Sequence, residues 1–230
     1  MSTTATPGTT KPQEGWAGQK APPGQGNAGD RRLLRRDPQT HTMGVAFAVA
    51  AIGMLFIALT SSYVVRQGLG MDWQRLPMPR ILLVNSVMLL ISSITIELAR
   101  HALRHENQQR SNTWTFVTLV LGLAFLSGQL LAWQSLARRG FFLDTNPHSS
   151  FFYVLTGLHG IHLAGGLLAL AYVAAGSLQQ LRAPAVSELA GWPARPSLDR
   201  RRRWLDGTAV YWHFMDALWI YLLALLFAWG

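Results

Sequence analysis

Five apolar stretches, approximately residues 44–65, 80–99, 114–136, 150–177 and 208–229, constrain this chain more than any other feature. Each reaches or exceeds the ~20 residues that a helix needs to cross the hydrocarbon core of a bilayer. In lipid, every backbone polar group must find its partner within the protein, so only helices and closed barrels span. The alternating segments of about ten residues that would signal a barrel are absent. The fold class that follows is all-α: a polytopic membrane protein built as a five-transmembrane-helix bundle. Charge content agrees, with only 13% charged residues against about a quarter in an ordinary soluble domain. The second stretch is the least plain, since Pro77 and Pro79 precede it and Asn85 and Glu97 lie within it. The fourth is long enough for its last turns to emerge from lipid.

The formal net charge of +9 raises the question of nucleic acid. The basic residues lie mostly in the tail and between the apolar runs, where orientation signals belong, so no nucleic-acid partner is expected. Six fall in the tail (Lys11, Lys20, Arg31, Arg32, Arg35, Arg36) and three in 100–113 (Arg100, Arg104, Arg110). Six more fall in 178–207: Arg182, Arg195 and Arg200 through Arg203. The other side has Arg66, Arg75, Arg80, Arg138 and Arg139. This asymmetry puts the N-terminus in the cytoplasm and the C-terminus outside. Residues 1–40, rich in Thr, Pro, Gly and Gln, read as a disordered cytoplasmic tail, and residues 41–230 as the transmembrane domain. The tail lacks the apolar core of a secretory signal peptide. Trp73, Trp114, Trp133, Trp204 and Trp229 sit where an interfacial aromatic belt would lie. With no cysteine, disulfides, thiolate ligands and cysteine nucleophiles are excluded. No nucleotide-binding loop or nucleophile–base constellation is present either.

The chemistry-bearing residues are therefore the ionisable and polar groups inside the spans, which are costly there and mark internal faces. In the fourth span, Gly157, Gly160 and Ala164 share one stripe at about 100° per residue, suited to close approach of a neighbouring backbone. His159, His162 and Gly166 occupy the opposite face. Those histidines can hydrogen-bond across helices, or they can ligate haem or a metal. In the fifth span His213 and Asp216 stand three residues apart on one face. Counted at 1.5 Å per residue, they lie roughly 8 and 12 Å below the cytoplasmic end, and His162 roughly 22 Å from it. A depth gap of about 10 Å argues against one shared metal or haem site. Glu97 comes out near the level of His213, so His213, Arg100 or Arg104 is expected to hold it; the alternative is that it reaches the headgroups. Asn85, Gln129 and Gln134 suit helix-to-helix hydrogen bonds, while Thr60, Ser61, Ser92 and Ser93 can bond back to their own helices.

Four segments resemble one known family. Tyr211-Trp212-His213-Phe214-Met215-Asp216 and Thr156-Gly157-Leu158-His159-Gly160-Ile161-His162 are similar to the Tyr-Trp-His-Phe-x-Asp and Thr-Gly-x-His-Gly-x-His patterns of subunit III of the haem-copper cytochrome oxidases. Val84-Asn85-Ser86 with Leu90 through Thr95 resembles its Asn-Thr … Ser-Ser-x-Thr helix. Phe56 through Tyr63 with Arg66 resembles the helix before it. The match covers roughly residues 44–230. It is to the short, five-helix bacterial type; larger members have seven helices. Many members have a glutamate near the middle of that preceding helix; the corresponding position here is apolar, about Ile52, so a role resting on that carboxylate does not carry over.

The resemblance implies an accessory subunit with no cofactor in this chain, haem and copper being held by partner subunits. The implied partners are oxidase subunits I and II and membrane lipids, in the bacterial plasma membrane, where the complex reduces oxygen and translocates protons. No residue of this chain is expected to be catalytic, cofactor-binding or metal-binding. The equivalent subunit of a quinol oxidase or a nitric oxide reductase assembly fits the same residues. A membrane cytochrome with a haem held by two histidines, or a small transporter with Glu97 and Asp216 as a proton relay, are the readings from other classes.

Overall fold

The computed structural model describes residues 38–69, 80–144, 146–182 and 198–229. Among the described residues the chain forms five helices: α1 (Pro38–Leu69), α2 (Ile81–Arg104), α3 (Gln108–Arg138), α4 (Pro147–Arg182) and α5 (Leu198–Trp229). All five are long and apolar enough to cross a membrane. The expected tail up to residue 37, and Trp73, Pro77 and Pro79, lie outside the described residues. At most ends the helices outrun the apolar stretches, because hydropathy marks the lipid-immersed turns while caps decide where a helix begins and stops. α3 starts at Gln108 because the Asn107 side chain accepts from the Arg110 amide at 3.1 Å. α4 starts at Pro147, a residue preorganised for a first turn, with the Asn146 side chain accepting from the Ser149 amide at 3.0 Å.

The other end of α3 closes by a Schellman arrangement. The Phe141 amide bonds the Leu136 carbonyl at 3.1 Å and the Gly140 amide bonds that of Ala137 at 3.0 Å. Gly140 has φ +83°, the left-handed conformation a side chain would oppose. Phe141 then folds back onto the core beside Leu136.

α2, α3, α4 and α5 make a ring in which each helix packs on the next and α5 returns to α2. α1 lies outside the ring against α5 and α4, and only 11% of its apolar span is buried, against 39% to 44% for the others. Two glycines of α3 allow the tight fit. A Cβ at Gly128 would overlap the Asn85 side-chain oxygen, and one at Gly122 would come within 2.7 Å of both Leu167 and Trp212. The main core runs through the ring, with Leu82, Phe125, Leu155, Trp212 and Trp219 among its members. A smaller cluster of Ala99, Leu103, Val173 and Leu205, with Trp114 against it, fills the end at the α2–α3 turn.

Candidate functional site

The densest polar chemistry lies on the seam where α2 and α5 run antiparallel. Glu97 and Arg100 are three residues apart on α2, so both reach α5 from one face. One Glu97 oxygen accepts from His213 Nε2 at 2.7 Å and from Arg100 Nη1 at 2.6 Å. Arg100 Nε donates to Asp206 at 2.8 Å, and Arg104 stands 3.9 Å from the same carboxylate. The expectation named His213 or a nearby arginine as the partner of Glu97; the structure supplies His213 and Arg100 together.

The chain of contacts continues inward. Ser93 donates its single hydroxyl proton to Asp216 and lies 3.0 Å from His213 Nδ1, so the imidazole has a polar partner at each nitrogen. Asp216 is buried, and its second carboxylate oxygen has no partner among the described residues. Glu97 and His213 are 47% and 38% exposed at their side chains, so this contact shows on the outer surface of the bundle.

Deeper along the seam, two indoles do the joining. Trp212 Nε1 donates to Ser92 Oγ and Trp219 Nε1 to Ser86 Oγ, each at 2.9 Å. Ser92 and Ser86 spend their own protons on the Leu89 and Leu82 carbonyls of α2. Each serine thus satisfies a backbone acceptor and an indole donor at once. The Ser92 back-bond was expected from the sequence and that of Ser86 was not, while Ser93, expected to bond its own helix, donates to Asp216 instead. The indole donors were not expected, although Trp212 and Trp219 stand seven residues apart on one face. Thr95 and Thr118 repeat the device between α2 and α3 at 2.8 Å.

α4 departs from expectation in two ways. The imidazoles of His159 and His162 make no hydrogen bond to a neighbouring helix among the described residues. His159 is fully buried, its ring packed against Trp219 (centroids 5.2 Å apart) and Phe125 (6.1 Å), and neither nitrogen has a partner among the described residues. His162 bonds the Leu158 carbonyl of its own helix at 2.7 Å and packs edge-on to Phe56 of α1. The small-residue stripe is also not where helices meet most closely. A Cβ at Gly157 would meet Trp133 at 3.4 Å and one at Gly160 would meet Leu126 at 3.8 Å, which are ordinary contacts. Ala164 is half-buried beside them. The tight approach is on the opposite face, at Gly166, where Tyr211 would stand 3.0 Å from a Cβ and where its hydroxyl donates to the His162 carbonyl at 2.8 Å. A large aromatic, not a backbone, fills the space the glycine leaves. Trp133, expected at the membrane boundary, also turns inward and donates to Thr156 at 3.1 Å.

Asn85 lies over Gly128, and neither its amide nitrogen nor the Gln129 amide atoms have a partner among the described residues. The structure therefore brings Glu97, His213 and Asp216 together and keeps Asn85, His159 and His162 apart from them. Among the described residues no three His, Cys, Asp or Glu side chains converge as metal ligands would. What the seam can do chemically is bind helix to helix through directed hydrogen bonds, and present a half-exposed polar contact to whatever faces it.

A polar seam joining antiparallel helices in a ring, with a fifth helix outside, defines a polytopic helical membrane protein. The family profile described as cytochrome c oxidase subunit III matches residues 41–181. Cytochrome c oxidase subunit 3 of Synechocystis is 30% identical over 83% of this chain and 76% of its own length. Its counterpart in Thermostichus vulcanus is 27% identical over 83% of this chain and 88% of its own. Quinol oxidase subunit 3 of Bacillus subtilis is 28% identical over 62% of each. This chain belongs to the cytochrome c oxidase subunit III family.

Proposed function

We propose that this chain is the accessory, cofactor-free subunit III of a respiratory haem-copper oxidase. It stabilises the catalytic subunit and supports proton uptake during oxygen reduction, and haem and copper reside in its partners, subunits I and II. The observation that carries this reading is the α2–α5 seam. Its imidazole and carboxylates are committed to one another and to arginine and serine, in a geometry that locks helices together. A redox centre would need ligands converging from facing helices. The protein sits in the bacterial plasma membrane with its N-terminus in the cytoplasm, as the placement of basic residues favours. The electron donor is cytochrome c in this reading; the quinol oxidase relative supports the second one, in which the same subunit serves a quinol-fed complex.

The test is purification of the tagged chain from detergent-solubilised membranes. A twelve-helix haem-copper subunit is expected to accompany it, and turnover with reduced cytochrome c and with quinol then separates the two donors. Recovery of the chain without such a companion, or with stoichiometric haem of its own, would overturn the reading.

A further inference from the structure

His101 and His105 stand one turn apart at the end of α2, four residues being the spacing that stacks side chains on one helix face. Their rings lie side by side, with centroids 4.5 Å apart and planes inclined by 50°. Both residues are exposed. Neither ring is engaged in a hydrogen bond or ion pair among the described residues. Other histidines are placed differently: His213 is held by Glu97 and Ser93, His162 by its own helix, and His148 and His159 are buried. The charged groups paired at this end cancel, Glu97, Glu106 and Asp206 against Arg100, Arg104 and Arg202. Those acids are thereby occupied, which leaves the two imidazoles as the available ligands.

A neutral imidazole carries one nitrogen lone pair able to bind a metal. Two of them fixed on one helix face make a chelating pair whose backbone is already ordered, which lowers the entropy cost of binding. Nitrogen ligands sit about 2.0–2.1 Å from zinc, so two in adjacent positions of its shell are about 3 Å apart. Rings with centres 4.5 Å apart reach that separation by rotation about side-chain bonds. Imidazole suits zinc, copper and nickel, whereas magnesium and calcium take oxygen ligands. The pair also spans a loosely closed turn. The His105 amide bonds the His101 carbonyl at 3.2 Å, and Glu106 follows with φ 59°, a conformation uncommon for a residue with a side chain. An ion shared by the two rings closes that turn a second time.

We propose that His101 and His105 form an exchangeable two-histidine site for a divalent transition-metal ion, zinc, copper or nickel, at the end of α2 that turns into α3. Water completes the coordination shell, as in other open metal sites. This site is separate from the α2–α5 seam and does not depend on the oxidase reading.

The experiment uses the full chain in the assembly in which it purifies, with a histidine-free tag and loosely held metal removed by a chelator. Zinc bound per assembly is measured by equilibrium dialysis for wild type, His101→Gln, His105→Gln and the double variant, so that any sites on other subunits cancel. Hydrogen exchange over residues 100–107 is followed with and without zinc. Wild type is expected to bind one zinc more per chain than the double variant. Losing even an outer-shell partner costs about 10–100-fold in metal affinity, so each single variant should lose about a hundredfold. Copper should bind more tightly than zinc or nickel, and magnesium at the same concentration should not bind there. Zinc should slow exchange over 100–107 in wild type and in neither single variant. Should a variant fail to fold, wild-type exchange with and without zinc still decides. Equal zinc counts in wild type and double variant would refute the site. So would wild-type affinity in either single variant, or zinc binding that leaves exchange over 100–107 unchanged.

Discussion

His213 and His159 are both imidazoles inside apolar helices, yet their surroundings are opposites. His213 sits on the α2–α5 seam with Ser93 at one nitrogen and Glu97 at the other, partly open to the outside. His159 sits inside the ring between Trp219 and Phe125, with no hydrogen-bond partner among the described residues. The first acts as a polar bolt, the second as an aromatic filler. The same residue type in the same kind of span therefore does not announce the same role, and its neighbours decide which chemistry it uses.

Truncation inside the ring should have the largest effect. His159→Ala empties a fully enclosed ring site, and thermal unfolding in detergent should show a loss of about 2–4 kcal/mol. Replacement by phenylalanine then sets the two sites against each other. His159→Phe keeps an aromatic of similar bulk and removes two unpartnered nitrogens, so stability should hold or rise. His213→Phe strips a donor from Glu97 and a partner from Ser93, and should cost about 1–2 kcal/mol. Equal losses from the two phenylalanine variants would erase the contrast. In cells, His213→Ala and Asp216→Ala should lower the amount of assembled complex while leaving haem absorption per complex unchanged. Normal assembly with lost turnover would instead give the seam a direct part in the reaction.

Smaller effects sharpen the picture. Trp212→Phe and Trp219→Phe each remove one indole bond to a serine whose own proton stays engaged and leave a smaller ring in a fully buried site, so each should cost about 1–2 kcal/mol. Gly157→Ala and Gly160→Ala should be the mildest, within about 0.5 kcal/mol of wild type, because a Cβ meets only ordinary contacts there. Gly122→Ala, facing Leu167 and Trp212 at 2.7 Å, should be destabilising by about 1–3 kcal/mol.

Much of the seam was legible beforehand because its depth follows from helix rise alone. Counting residues put Glu97 level with His213 and kept His162 away from both. The indole–serine bonds were not legible, since they depend on which way two tryptophans turn once α5 meets α2. The fourth helix misled for a related reason. A stripe of Gly157, Gly160 and Ala164 shows that an approach is permitted, not that it happens, and the tight contact went to Gly166, where Tyr211 needed room. Likewise four consecutive arginines look equivalent in sequence, although a helix turns each by about 100° and so buries Arg201 while Arg200 and Arg203 stay exposed.

Length and apolarity of the five runs, with the caps at Asn107 and Asn146 and the glycine at 140, determined a helical membrane protein and most of its boundaries. These are local properties, written in periodicity and in the conformational demands of single residues. Which helices became ring neighbours, why α1 stayed outside, and which polar side chains found partners were decided only by tertiary packing. Those outcomes depend on shape complementarity between surfaces far apart in the chain, as at Gly128 beneath Asn85, and no local pattern encodes it.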